Sequence, residues 1–551
     1  MIKHTLTQLV HTALGTAQQV GDLPEFDLPV ISVERPKDNK LGDYATPVAL
    51  GLARFARMNP IKIADIITKH MGKPDFLAEI SVARPGFINF RLTTDWLTQQ
   101  VSRIIQAGDD FGKINIGQNK RVQVEFISAN PTGPLQFGSG RNAIIGDVLA
   151  NVFSAVGYDI QREYYMNDTG NQTLLFAQTL RSRYAKSLGK EDRFPFPKDG
   201  YPGDYLIEMG QKLADNVGTA YLDLADNESI ATFQQEGLNY MVSHLKNEVA
   251  TMNIHFDNWF SERSLYDDGT YQKIYQYLQE HDQLVKKDGA VWLKGNEDDE
   301  NYVLVRSDGR PTYLASDIAY MYNKLVTRNF EKAIYILGAD HHGYMSRLGT
   351  VAQILGLDEE RVVIVMYQLV SLERDGKQVR MGKRSEFVPL SKVIEEIGVD
   401  ATRFMLLTRS SDSQMTLDLS LAVQESSENP VYYVQYGHAR IASIFRKAEA
   451  EGVSMKNADL SLLTNPSELD LIRHTLRLEE VLEYIALTLS PNHLTTYAQE
   501  LATVFHRFYH DCRVISDDLA LSAARLSLVK ATQITLANTL RLMGMSTPEQ
   551  M

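Results

Sequence analysis

The stretch that most limits the possible folds runs from Arg121 to Val156. Arg121-Val-Gln-Val-Glu-Phe-Ile127 alternates apolar and polar side chains, as a half-buried strand does. Ser128-Ala-Asn-Pro-Thr-Gly-Pro-Leu-Gln-Phe-Gly-Ser-Gly-Arg141 then supplies turn residues. Ile145, Val148, Leu149, Val152 and Val156 come next at helical spacing, on one face. Strand, glycine-rich turn and long helix make the first part of a β-α-β unit, and such units build parallel sheets. Further strands are expected at Gln161–Tyr165, Tyr302–Arg306, Ala333–Leu337 and Val362–Tyr367, separated by helical stretches. The expected class for residues 118–399 is α/β, a doubly wound parallel sheet. Residues from about 177 to 293 are too many for a connection and read as an insertion.

A chain of 551 residues exceeds one ordinary core, and the flanks differ from the centre. Residues 1–108 read as a small α+β unit, with helical patterns at Val48–Arg57 and Pro60–Met71. Ile80-Ser-Val-Ala precedes Pro85-Gly86 and the alternating run Phe87–Leu92. Gly108–Gly117 reads as a linker, and residues 400–551 have helical periodicity nearly throughout.

Composition sets limits on function. With 44% apolar and 23% charged residues the chain is not disordered. No apolar run reaches the roughly 18 residues of a membrane span, and residues 1–21 do not resemble a secretory signal. The single cysteine, Cys512, excludes a disulfide framework or thiolate zinc site within the chain. A cytoplasmic protein with no membrane partner is the expectation. A net charge of −13 argues against indiscriminate nucleic-acid binding. Within it lies one basic strip, Arg374, Lys377, Arg380, Lys383 and Arg384 with only Asp375 opposing, which alone would read as a solvated face.

Glycines at 138 and 140, where a strand gives way to a helix, would let a ligand approach the backbone. The helix N-terminus offers N–H groups and partial positive charge to a phosphate. A plain tight turn is the alternative. The Gly-x-x-x-x-Gly-Lys-Ser/Thr order of a Walker loop is absent.

The turn resembles the first signature of class I aminoacyl-tRNA synthetases, in the form used by bacterial arginyl-tRNA synthetases, and the likeness extends over nearly the whole chain. Val33-Glu-Arg-Pro-Lys-Asp, Gly42-Asp-Tyr-Ala and Pro85-Gly-Phe-Ile-Asn-Phe90 resemble that family's N-terminal domain. Arg162–Gln172, Ser307–Ala319 and Gly338-Ala-Asp-His-His-Gly-Tyr344 resemble its catalytic domain. Asn429–Arg440, Phe505-His-Arg-Phe-Tyr509 and Met551 resemble its anticodon-binding helices. The resemblance implies a Rossmann-like catalytic domain, an N-terminal tRNA-contacting domain and an all-helical anticodon-binding domain. It also implies ATP-dependent ligation of L-arginine to tRNA(Arg) through an arginyl-adenylate.

The family's roles carry over residue by residue. Gln136, Ser139 and Lys383 would act on the ATP phosphates, and Gly138, Gly140, Gly338, Asp340, His341, Met381 and Arg384 would hold ATP. The basic strip then becomes a phosphate-contacting loop. Tyr313 and Asp317, four apart and so on one helix face, would bind the guanidinium, with Ser128 and Asn130 at the other end of the arginine. A carboxylate beside an aromatic suits a guanidinium. Tyr436, Tyr509 and Met551 would meet anticodon bases, by stacking in the case of the two tyrosines. Phe87 and Asn89, two apart on a strand, would meet the D-loop. Asp340-His341-His342 is not read as a metal site, since adjacent side chains on a strand diverge. Mg²⁺ would arrive with ATP, which is a substrate, and no tightly bound cofactor is implied. A monomer is expected.

The sequence departs from the family's pattern at both signatures. The family usually has histidines where Gln136 and Ser139 stand. Its Met-Ser-Lys-Arg-Ser-Gly becomes Met381-Gly-Lys-Arg-Ser385 followed directly by Glu386. Neutral donors replace charged ones, worth about 0.5–1.5 against about 1.5–3 kcal/mol. A slower enzyme is expected. The alternatives are a weakly active or non-catalytic paralogue that keeps tRNA binding, and an arginine-activating enzyme working without tRNA. The two RNA-binding flanks count against the last.

Overall fold

The computed structural model of the chain describes residues 1–294, 302–339, 342–379 and 388–551, with the side chains of 39 and 342–347 left out of the description. Five strands form a wholly parallel sheet in the order Val362–Tyr367, Lys332–Gly338, Arg121–Glu125, Asp159–Met166, Asn258–Ser261. Arg121–Glu125 is central, and all but its first residue are buried, as a strand covered on both faces requires. From it the chain steps outward on one side through Asp159–Met166 and Asn258–Ser261. It then returns on the other side with Lys332–Gly338 and Val362–Tyr367. The crevice beyond the carboxyl ends of Arg121–Glu125 and Lys332–Gly338 is therefore the topological switch point.

Two strands differ from expectation. Tyr302–Val305 is not in the parallel sheet; it pairs antiparallel with Ala290–Leu293, which pairs antiparallel with Leu284–Lys287. The fifth parallel strand, Asn258–Ser261, comes from inside the stretch read as an insertion. What stands apart there is a helical unit, Gly170–Ser187, Asp204–Val217 and Asp226–Thr251. Its own apolar cluster includes Phe176, Leu180, Leu206 and Phe233.

The helix Phe137–Ala155 is buried on nearly every side rather than on one face, and its polar residues Arg141, Asn142 and Asp147 are buried with the rest. The sheet covers part of it, and the helices Leu390–Ile397, Val399–Leu407 and Arg477–Thr488 pack on it too. At the N-terminal side, Tyr44–Thr46, Phe87–Leu92 and Leu77–Ala83 make an antiparallel sheet with Phe87–Leu92 in the middle. The helix Pro60–His70 begins with proline after an Asn59 cap, as its sequence suggests. At the C-terminal side, Pro430–Ala450, Pro466–Thr475, Arg477–Thr488, His493–Asp511 and Leu519–Leu542 form a helical body. One continuous apolar cluster runs through all three regions, joining Leu6, Val124 and Leu528. Among the described residues no helix is long and apolar enough to cross a membrane.

Candidate active site and RNA-facing cleft

The turn after Arg121–Glu125 is held open by strained backbone. Ile127 and Ser128 have φ of 65° and 45°, values that side chains disfavour. Neighbouring groups fix them there. The Ile127 N–H donates to Asn142 Oδ1 at 2.5 Å, and Asn142 Nδ2 donates to the Ile336 carbonyl at 2.8 Å, so one amide spans the switch point. The Ser128 hydroxyl donates to Glu125 at 3.1 Å and accepts the Tyr165 N–H at 3.2 Å. Asn130 donates to Gln172.

At the start of the long helix, Gln136 and Gly138 are exposed and Ser139 half-buried. Gln136 occupies the cap position without using its side chain as a cap. Nothing lies within 4 Å of where a Gly138 Cβ would stand, so that position is open to a ligand. Gly140 is different. It is buried, and a Cβ would meet Leu390 at 2.8 Å, so its missing side chain serves helix packing rather than ligand approach. Arg141, fully buried, donates to the carbonyls of Gln368, Ser410 and Ser413 at 2.7–2.8 Å and does not face the crevice.

The turn is zipped to a distant segment. The Phe137 N–H donates to the Val388 carbonyl, and the Leu390 N–H to the Leu135 carbonyl, each at 2.9 Å, with Gln136 opposite Pro389. Val388–Leu390, which follow the basic strip in the sequence, are thereby anchored beside Gln136. At the entry of the strip, Arg374 and Lys377 face each other across a tight hairpin whose central residues, Asp375 and Gly376, both have positive φ. Arg374 pairs with Glu396 at 2.5 Å on the surface. Lys383, Arg384, Met381, Asp340 and His341 lie outside the described residues. Gly338 ends its strand beside the switch point.

Tyr313 opens the helix Tyr313–Tyr322 and is 59% exposed on a cleft of about 310 Å³. Glu262, Tyr266, Arg310 and Ser316 line the same cleft. Glu262 is nearly buried, and burial pushes its carboxyl above the ordinary range while hydrogen bonds from Ser316, Thr169 and Tyr165 oppose this. Tyr165 ties the halves of the site together. Burial holds its phenol well above the usual value, and the carboxylates of Glu262, Asp317 and Glu125 push it further the same way. Its own N–H is the one bonded to Ser128. Ser128 thus bonds the backbone of the residue on whose phenol the Asp317 charge acts. Lys324, fully buried, contacts Glu125 and lies 4.0 and 3.8 Å from the Tyr320 and Tyr335 rings. Glu163 accepts from Tyr320 at 2.5 Å; although burial opposes ionisation, Arg328 and Lys324 hold its carboxyl below the ordinary range.

Glu262 was not among the residues expected from the sequence. It comes directly after the strand Asn258–Ser261, whose four residues do not alternate in burial and give no period-two signal.

Far along the chain, a second cleft of about 810 Å³ is lined by Tyr436, Arg440, Tyr509, Arg513 and Met551. Tyr509 and Met551 are 41% and 53% exposed, whereas Phe505 and Phe508 are fully buried core. Tyr432 and Tyr436 stack at 5.8 Å. The Arg440 guanidinium lies 4.7 Å from the Tyr436 ring and 5.3 Å from that of Tyr509. It also donates to His506 at 3.3 Å, and burial together with this cation lowers that imidazole to about 4. Flat rings with a guanidinium between them can take unstacked bases. In the N-terminal sheet Phe87 is half-buried, but Asn89 is only 5% exposed, which leaves its amide little access to a base.

Three family models match in succession: the arginyl tRNA synthetase N terminal domain over 2–92, the class I (R) tRNA synthetase catalytic domain over 100–443, and the DALR anticodon binding domain over 434–551. The arginine–tRNA ligase of Dehalococcoides mccartyi is 43% identical, covering all of this chain and 99% of that protein. That of Listeria welshimeri is 41% identical over the whole of both. The solved arginyl-tRNA synthetase of Thermus thermophilus, at 22% identity, superposes over the full length of both chains with a TM-score of 0.80, a likeness of fold.

Proposed function

The chain belongs to the arginyl-tRNA synthetase family of class I, and on that footing we propose that it ligates L-arginine to tRNA(Arg) at the expense of ATP. The arginine carboxylate attacks the α-phosphorus of ATP and pyrophosphate leaves. A terminal ribose hydroxyl of the tRNA then attacks the adenylate carbonyl and AMP leaves. No side chain acts as nucleophile, so positioning and charge stabilisation supply the catalysis.

The observation that carries this reading is the pairing of Leu135–Phe137 with Val388–Leu390, which ties the residues that follow the basic strip to the helix N-terminus. Gln136 and Ser139 there meet the triphosphate, with Gly138 and Gly338 leaving room for the nucleotide. Lys383, with Arg384, Met381, Asp340 and His341, completes the ATP site, and Mg²⁺ comes with the substrate. Asp317 and Glu262 hold the guanidinium against Tyr313, while Ser128 and Asn130 set the backbone end of arginine. The Tyr436–Tyr509–Met551 cleft takes the anticodon, and Phe87 with the N-terminal sheet takes the D-loop. The working divisions are 1–108, 118–399 and 400–551, in a cytoplasmic monomer. The altered signatures slow the reaction without abolishing it.

The test is attachment of radiolabelled arginine to total tRNA, with Mg-ATP saturating. Charging above a no-enzyme blank is expected. Charging equal to the blank with cognate tRNA would sink the catalytic reading. Arginine-dependent ATP–pyrophosphate exchange is expected only with tRNA present; robust exchange without RNA would favour an enzyme that works without it.

A further inference from the structure

The segment Leu542–Met551 is bonded to the rest of the molecule at most of its residues. The Leu542 carbonyl accepts from Asn151 Nδ2 at 3.0 Å, and the Met543 carbonyl from Arg403 Nε. The Gly544 carbonyl accepts from Asn253 at 3.2 Å. Ser546 donates both its N–H, at 3.1 Å, and its hydroxyl to Asp400. Further on, the Pro548 carbonyl accepts from His438 at 2.8 Å and the Glu549 carbonyl from Arg446 at 3.2 Å. One end of the segment lies against the long helix Phe137–Ala155, through Asn151. The other end carries Met551 into the aromatic cleft.

Arg403 is the node of this arrangement. Its side chain is 1% exposed, and it reaches three separate elements. Besides the Met543 carbonyl it donates to Asp147, on the long helix, and to the Met252 carbonyl at 2.7 Å, beyond the helix Asp226–Thr251. Gly544 closes over it at φ 69°, and any Cβ there would fall inside contact distance of the guanidinium. A buried cation satisfied by one carboxylate and two carbonyls has a single arrangement, and losing any part of it leaves polar groups stranded. Asn151 adds a second tie, accepting from Arg162 at 2.6 Å while it donates to Leu542.

We propose that Arg403 and Asn151 are positioning residues for the ligation reaction. Through them the Leu542–Met551 segment braces the C-terminal half of the helix whose N-terminus carries Gln136 and Ser139, beside the sheet and helices that pack on the rest of it. Asn151 lies twelve residues from Ser139, about 18 Å along a rigid helix. A small tilt at one end therefore moves the donors at the other, and misplacement by about 1 Å can cost about a hundredfold in rate. RNA seated against Met551 and the phosphate-facing end of the helix are then parts of one mechanical unit. The inference rests on the proposed function, in which that helix end meets ATP and that cleft meets RNA.

The experiment compares Arg403→Lys, Asn151→Ala and Gln136→Ala in the full chain, with active sites counted by burst titration so that unfolded protein does not enter the rate. Asn151 is half-buried, so its truncation spares the fold if Arg403→Lys does not. The expected result is a fall in kcat for arginylation of about ten- to a hundredfold in the first two, with tRNA KM changed less than about threefold. An unchanged kcat per titrated site in Asn151→Ala, or a rise in tRNA KM alone, overturns the proposal and leaves the segment as an RNA-binding or stabilising element. Gln136→Ala separates the two levels. A loss there with none at Asn151 refutes only the proposal, whereas no loss at Gln136 refutes the phosphate-end reading and the proposal with it.

Discussion

At the scale of single residues the end of the site proposed to take arginine is a problem in charge. Asp317 and Glu262 both act on Tyr165, and Glu125 stands behind them with its charge offset by buried Lys324. A guanidinium seated there, as proposed, would be favoured over an uncharged analogue, which leaves carboxylates poorly paired. Asp317→Asn keeps the shape and removes one charge. Truncating one partner of a desolvated pair costs about 2–5 kcal/mol, so arginine KM should rise at least about tenfold while ATP KM stays nearly constant. Steady-state kinetics with each substrate varied decides it, and an unchanged arginine KM would show that the pocket lies elsewhere. His506 offers a pH test of the other cleft. Its folded value of about 4 lies below the ordinary 6.5, so the unfolded chain binds the extra proton first. Its contribution to stability is whole above about 6.5 and is lost as pH falls toward 4. Urea midpoints of the wild type and His506→Gln should differ in pH dependence across that window, the wild type falling more steeply. Parallel curves would show that the imidazole titrates normally.

At the scale of elements, the proposed function places the reaction at one helix end and the segment paired with it. In the proposed function Gln136 and Ser139 present neutral donors where charge develops on the transferring phosphates, so their effect should belong to the transition state more than to ATP binding. Alanine at either position should lower kcat by about ten- to a thousandfold, in the range usual for one lost donor. Histidine at both should change kcat while ATP KM stays similar. Activity unaffected by alanine would remove both residues from the phosphate site. The turn that carries them was legible in the sequence, because alternation, turn residues and helical spacing each changed at the right place. One expected strand joins a different sheet, and one strand was not legible at all. Tyr302–Val305 has the composition of a buried strand, and composition does not say which sheet a strand joins. Asn258–Ser261 is four residues long, half-buried throughout, and surrounded by helical sequence. Glu262 went unseen with it. Long-range pairing also decided what local pattern could not. Nothing near Leu135 announces Val388, and the local sequence of Gly140 is that of a ligand-facing glycine although Leu390 packs against it.

At the scale of the whole molecule, one continuous apolar cluster joins the N-terminal sheet, the parallel sheet and the C-terminal helices. Sequence pattern marked the aromatic residues of the C-terminal helices without separating core from surface. Burial makes the separation, placing Phe505 and Phe508 inside and leaving Tyr509 open beside Arg440. That geometry gives Tyr509→Ala a clear signature. A stacking face is worth about 1–3 kcal/mol per base, or about five- to 150-fold in affinity. The ring is too exposed for its loss to threaten the fold, so the melting temperature should hold within a few degrees. The proposed catalytic groups lie elsewhere, so kcat at saturating tRNA should fall less than tRNA KM rises, and arginine and ATP KM should be nearly unchanged. Charging assays across a tRNA titration, paired with thermal melts, read both quantities. A large drop in melting temperature with tRNA KM unchanged would return Tyr509 to the core. The RNA-facing role would then rest on Tyr436 and Met551 alone.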